Sequence, residues 1–132
     1  MEDRLTIGQL ARATGVHVET VRYYQRIGLM PLPPKRGGFR YYGERELDRL
    51  RFIKRAKRLG FSLKEIKALL EIDPNDCAAI AHQAQELKER IEREIEQLEA
   101  LRHNLEALLK ACQEGRTSCP ISQTLKTDAE LL

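Results

Sequence analysis

Tryptophan is absent from this 132-residue chain and aromatics make up only 5% of it, whereas 33% of its residues are charged. So little bulky apolar material leaves enough for one modest core plus a long exposed element, and excludes two large globular domains. No apolar run approaches the ~18 residues that a membrane span needs. The opening MEDRLTIGQ also lacks the apolar stretch of a signal peptide. The expected compartment is therefore the cytoplasm, with no membrane partner. Cysteine is scarce too: there are three, an odd number, and in a reducing compartment thiols read as ligands or sensors before disulfides. Neither a C-x-x-C pair nor a βαβ pattern is present, which argues against a thiol oxidoreductase and, more broadly, against an enzyme.

What is present divides by charge. Residues 1–60 carry 14 Lys and Arg against 6 Asp and Glu, and residues 61–132 carry 9 against 14. A basic half suggests a phosphate-rich partner, and an acidic half suggests solvated helix faces. In LTIGQLARA, residues 5–13, Leu5, Ile7, Leu10 and Ala11 share a helical face, with Thr6 as N-cap. After a break at Thr14-Gly15-Val16, HVETVRYYQR resumes a helix with Val18, Val21 and Tyr24 on one side. Two short helices around a Gly-containing turn fit a helix-turn-helix, whose second helix enters the major groove; an ordinary helical hairpin is the plain alternative. His17 opens that second helix and is a candidate DNA contact.

Pro31, Pro33 and Pro34 stop any helix, and Lys35-Arg36-Gly37-Gly38 is a basic turn leading to a short strand from Phe39 to Tyr42. Such a hairpin beside a helix-turn-helix is a wing. A third helix from Glu44 to about Leu59 turns Leu47, Leu50, Ile53 and Ala56 inward and puts Arg45, Arg49, Arg51, Lys54, Arg55, Lys57 and Arg58 outside. Gly60 ends it, and Ser62 with Glu65 forms a capping box for a fourth.

From about Cys77 to Ala111 no Gly or Pro interrupts the chain. Heptad steps give Cys77, Ala84, Ile91, Leu98, Leu105 and Cys112, with a companion row of Ile80, Leu87, Glu94, Leu101 and Leu108. One long helix cannot bury such a stripe on itself, so a second copy is the expected partner, with a self-packed hairpin as the alternative. If residues 77–112 form one helix, its terminal cysteines lie about 52 Å apart at ~1.5 Å per residue, too far to share one ion. In an antiparallel dimer, Cys77 faces Cys112 and Cys119 of the other chain, which makes two equivalent three-thiolate sites. Gly115 allows the chain to turn back, and Pro120 suits the start of a helix that leaves Cys119 near its positive end, favouring thiolate. Soft sulfur selects Hg(II), Cd(II), Pb(II) or Cu(I), while Zn(II) needs a fourth ligand. Any one of these cysteines alone would read as a small buried hydrophobe. His82 and His103 fit solvated or interhelical roles.

The stretches IGQLARATGV, ETVRYYQRIGLMP, GGFRYY and RLRFIKRAKRLGFSLKEIKALL together resemble the MerR family of bacterial metal-responsive transcription regulators, and CQEGRTSCPI resembles the metal-binding loop of its metal sensors. The likeness implies a mainly α fold. A winged helix-turn-helix DNA-binding domain occupies residues 1–75, with the helix-turn-helix over about 6–26 and the wing over about 35–43. A long antiparallel coiled-coil dimerisation helix follows over 76–112, then a metal-binding loop and tail over 113–132. It implies DNA contacts at Arg22, Tyr23 and Tyr24 on the recognition helix, Arg40 and Tyr42 on the wing, and Lys35, Arg36 and Lys57 on phosphates; core packing is the alternative for Tyr23 and Tyr24, and one of the two is expected to pack inward. The wing turn is one residue short of the common pattern, and Phe39 stands where Tyr is frequent. Family members repress promoters when metal-free and distort the DNA for RNA polymerase when loaded. A cysteine at position 77 favours a divalent ion. The Ser118-Cys119-Pro120-Ile121 wording resembles mercury regulators, whereas the short loop from Cys112 to Cys119 matches cadmium- and lead-type members. Hg(II) is the favoured effector, with Cd(II), Pb(II) or Zn(II) as alternatives. A thiol-redox regulator on the same scaffold and an architectural DNA-bending protein are the rival readings.

Overall fold

A computed structural model of the chain describes residues 4–114 and 120–126. Its helices are α1 (Ile7–Thr14), α2 (Val18–Arg26), α3 (Glu44–Leu59), α4 (Leu63–Glu71), α5 (Cys77–Gln113) and α6 (Pro120–Lys126), with a two-stranded hairpin, β1 (Lys35–Arg36) and β2 (Phe39–Arg40), between α2 and α3. The chain divides into two compact units, Met1–Gln83 and Ala84–Leu132.

In the first unit the helix ends are set by local chemistry. Thr6 Oγ1 accepts from the Gln9 amide at 3.2 Å while Gln9 Oε1 accepts from the Thr6 amide at 2.9 Å, a reciprocal cap that starts α1. Ser62 and Glu65 repeat the device at α4, with distances of 3.1 and 2.7 Å. Both expected caps are present. In the hairpin Lys35 pairs with Arg40 and Arg36 with Phe39, around Gly37 and Gly38 at φ +60° and +84°. Positive φ at both central positions is the type I′ pattern, whose twist suits the flanking strands.

The core is built from Leu10, Val21, Tyr24, Leu29, Met30, Tyr42, Leu50, Ile53, Ala56 and Ile66. Three of the four expected inward residues of α3 are buried, and Leu47 packs partly against them. A reciprocal bridge closes one edge: the Leu5 amide donates to Tyr42 O at 2.9 Å, and the Tyr42 amide donates to Leu5 O at 2.7 Å.

Two basic residues expected on the outer face of α3 turn inward instead. Arg49 Nε donates to the Leu29 carbonyl at 2.8 Å, and Lys54 Nζ donates to the Thr14 carbonyl at 2.6 Å. The reason is that carbonyls at the ends of α1 and of the loop after α2 need donors, and a cation at a helix C-terminus also favours the dipole. Gly15, at φ +70°, ends α1, and a Cβ there would stand 2.6 Å from Lys54 Nζ. Gly15→Ala is therefore expected to cost the left-handed conformation, ~1–2 kcal/mol, plus displacement of the ammonium. Gly37→Ala has nothing within 4 Å to displace and should cost only the first. Urea denaturation of the two variants measures the difference.

α5 starts behind Asp76, whose Oδ1 accepts from the Ala79 amide at 3.1 Å. It continues without interruption to Gln113. In the second unit its apolar row lies open in the single chain: Leu98 is 64% and Leu105 54% exposed. Glu94, the one charged member of the rows, pairs with Arg90 at 3.4 Å. Among the described residues no helix is long and apolar enough to cross a membrane.

Candidate nucleic-acid interface and thiol ligands

α2 is amphipathic. Val21 and Tyr24 face the core, whereas Arg22, Tyr23 and Arg26 face out. Two of the expected contact residues are buried. Tyr24 is 6% exposed, its ring centroid 6.2 Å from that of Tyr23. Burial, and to a smaller degree the neighbouring Tyr23, pushes its phenol above the ordinary value, so it stays neutral. Tyr42 is 1% exposed, and its hydroxyl accepts from Gln25 Nε2 at 2.8 Å. Gln25 also donates to the Pro31 carbonyl at 3.2 Å, so this small network ties the recognition helix to the wing's approach. Tyr24 and Tyr42 thus belong to the core behind this face. Tyr23, at 44% exposure, remains available.

Between α2 and the hairpin lies an open groove of about 490 Å³, lined among others by Arg22, Arg26, Phe39 and Arg40. Three guanidiniums in one concavity fit a phosphate backbone. Arg40 is half-buried and donates to the Pro33 carbonyl, so it braces the wing as well as lining the groove. Lys35 and Arg36 are exposed on β1, with the Arg36 guanidinium 5.5 Å from the Tyr41 ring centroid. Lys57 is exposed on α3. His17 is the N-cap residue of α2, yet its side chain makes no capping hydrogen bond, which leaves the imidazole to solvent. Arg26 was missed by sequence reasoning. It lies one helical turn beyond Arg22, with its guanidinium 5.7 Å from the Tyr23 ring centroid, and the i, i+4 spacing from Arg22 was the available signal.

Of the expected thiol ligands, Cys77 is the first residue of α5 and is exposed, and Cys112 lies in its last turn, half-buried. Cys119 lies outside the described residues. Among the described residues of one chain, no group of three or more His, Cys, Asp or Glu side chains gathers where a metal ion would be held. Cys77 belongs to the first compact unit and Cys112 to the second.

Residues 5–72 match the MerR HTH family regulatory protein model, and residues 47–108 match the model described as MerR, DNA binding. The chain is 41% identical to a mercuric resistance operon regulatory protein of Serratia marcescens, over 97% of its own length and 92% of the relative's. Among solved structures it resembles the transcription regulator PbrR691 of Ralstonia metallidurans in complex with lead(II), at 32% identity and a TM-score of 0.78, covering 92% of this chain and 98% of that one. It also resembles the dual-function regulator MerR of Bacillus megaterium in complex with mercury(II), at 39% identity and a TM-score of 0.71, covering 93% and 100%. With its helix-turn-helix, its basic winged groove and its long following helix, the chain belongs to the MerR family of helix-turn-helix regulatory proteins.

Proposed function

We propose that the chain is a homodimeric, metal-responsive transcription regulator of a heavy-metal resistance operon, with Hg(II) as its effector and Cys77, Cys112 and Cys119 as the ligands. One observation carries the reading: a helix uninterrupted from Cys77 to Gln113 bears an open apolar row with a cysteine at each end. An antiparallel partner helix would cover that row and bring Cys77 to the Cys112 and Cys119 of the other chain. Three thiol donors fit a thiophilic ion. Their soft sulfurs suit Hg(II), Cd(II) or Pb(II) better than hard, oxygen-seeking cations, and coordination would deprotonate them. The 41% identity to a mercuric resistance regulator supports Hg(II).

On the DNA side, the exposed Arg22, Tyr23, Arg26, Lys35, Arg36 and Lys57, with Arg40 in the groove, are the DNA contacts, Lys35, Arg36 and Lys57 to phosphates, and His17 lies at the helix end nearest the bases. Metal-free dimers hold the promoter in a repressed form. The loaded dimer favours a bent, untwisted promoter that RNA polymerase can use, so differential binding to two DNA shapes is the switch. Cd(II) or Pb(II) is the second reading, favoured by the seven-residue separation of Cys112 and Cys119.

The test is a promoter–reporter assay titrated in parallel with Hg(II), Cd(II), Pb(II), Zn(II) and Cu(I). Induction at the lowest dose by Hg(II) is the expected result. Induction first by Cd(II) or Pb(II) would make loop length the better guide. An oxidant that induces where no metal does would replace the metal reading with a thiol-redox switch.

A further inference from the structure

On the DNA-binding reading above, one residue of the recognition helix stands out of place. Between Arg4 and Gly43 the chain holds seven Lys and Arg but a single acidic residue, Glu19. It sits in the first turn of α2, exposed, on the helix that also presents Arg22, Tyr23 and Arg26. A carboxylate there repels phosphate and lowers affinity for any duplex. A favourable term with the helix dipole accounts for part of its presence, as acidic residues also occupy the first turns of α3 and α4. Those differ in one respect. Glu46 and Glu65 fold back to accept from the N-cap amides of their own helices, whereas Glu19 reaches forward, with Oε1 2.7 Å from Arg22 NH1.

We propose that the Glu19–Arg22 pair reads one C·G base pair in each half-site, Glu19 accepting from the cytosine N4 amine and Arg22 donating to the acceptors of the paired guanine. The first turn of a recognition helix is where side chains meet base edges. A carboxylate only accepts, and its two oxygens have room for a base donor beside Arg22. A guanidinium retains further N–H donors when one nitrogen is held by a carboxylate. In the major groove guanine offers O6 and N7 as adjacent acceptors, next to the N4 donor of its cytosine. An acceptor and a forked donor fixed side by side match that row. An A·T pair splits its acceptors around the N6 donor and cannot take the forked pair. The repulsion from phosphate is thus exchanged for discrimination.

The test uses the full chain. Wild type, Glu19→Gln and Glu19→Ala are each equilibrated with a pool of random-sequence duplexes, and the site enriched by wild type is then scanned by single base-pair replacements. Wild type should lose about 5- to 150-fold in affinity when the C·G pair is replaced. Glu19→Gln should move the preference at that position to A·T, because glutamine pairs with adenine N6 and N7. Glu19→Ala should flatten it. Both variants should bind non-cognate duplex more tightly than wild type, having lost a negative charge. A base-preference profile unchanged in both variants, with affinity lowered equally on all duplexes, would assign Glu19 to helix initiation alone and overturn the proposal. A wild-type protein that enriches no sequence would instead overturn the DNA-binding reading of α2, and the proposal with it.

Discussion

In a Cys77→Ser chain, metal induction is expected to disappear while promoter binding and repression persist. Serine is close to cysteine in size but replaces a soft sulfur ligand with a hydroxyl that Hg(II) binds poorly. The side chain is exposed at the first residue of α5, where surface substitutions usually change stability by less than ~0.5 kcal/mol. The contact residues on α2 and the wing lie far from it in sequence, so a fold defect is not the expected cause of the lost response. Reporter induction and operator gel shifts, run on the same variant, separate the two functions. A mixed dimer sharpens the test. If each site takes Cys77 from one chain and Cys112 and Cys119 from the other, a dimer of one Cys77→Ser chain and one Cys112→Ser chain retains one intact site and loses the other. It should bind one metal ion, whereas each parent homodimer binds none tightly. A site built within one chain predicts no recovery at all in the mixture.

If two copies pair through α5 as proposed, Leu98→Asp is expected to dissociate the dimer and, with it, to abolish tight operator binding. Leu98 is 64% exposed in the single chain, in the middle of the apolar row of α5. Burying a leucine side chain contributes ~1.5–3 kcal/mol, and a two-fold assembly loses it twice. About 3–6 kcal/mol corresponds to roughly 10²- to 10⁴-fold in the dimer dissociation constant, before the cost of burying two carboxylates is added. Sedimentation equilibrium over a concentration series reads this directly. Because Leu98 belongs to the second compact unit, the fold of the first should survive, and circular dichroism should show α1–α4 intact. A variant that stays dimeric would place the partner surface elsewhere on the helix.

The parts of this molecule that were legible in its sequence are those governed by near neighbours. Thr6 with Gln9 and Ser62 with Glu65 are capping boxes three residues long, and Gly37-Gly38 carries its turn type in its own backbone freedom. The unbroken α5 was legible because nothing between Cys77 and Ala111 stops a helix. The two tyrosines of α2 are instructive in a different way. Helical period alone put Tyr24 beside Val18 and Val21 on the inner face, while family likeness put it on DNA; burial agrees with the period. The burial of Tyr42 goes with its pairing to Leu5, 37 positions away, which no local pattern encodes. Arg49 and Lys54 were read as solvent-facing for the same reason: their carbonyl partners, Leu29 and Thr14, lie 20 and 40 residues distant.

The inward turn of Arg49 and Lys54 has a consequence for thermodynamics measured in salt. Binding to DNA releases one condensed counterion, near enough, for each phosphate that a protein cation neutralises, and the slope of log affinity against log salt counts them. A tally of the basic residues in the first half of the chain overstates that count, because Arg49 and Lys54 hold backbone carbonyls and, unlike Arg40, do not line the groove. At ~0.9 per phosphate contact, leaving these two out makes the slope shallower by about 2 for each subunit than the composition alone would suggest. The charge that holds the helix-turn-helix together is charge withdrawn from its electrostatic dialogue with the promoter.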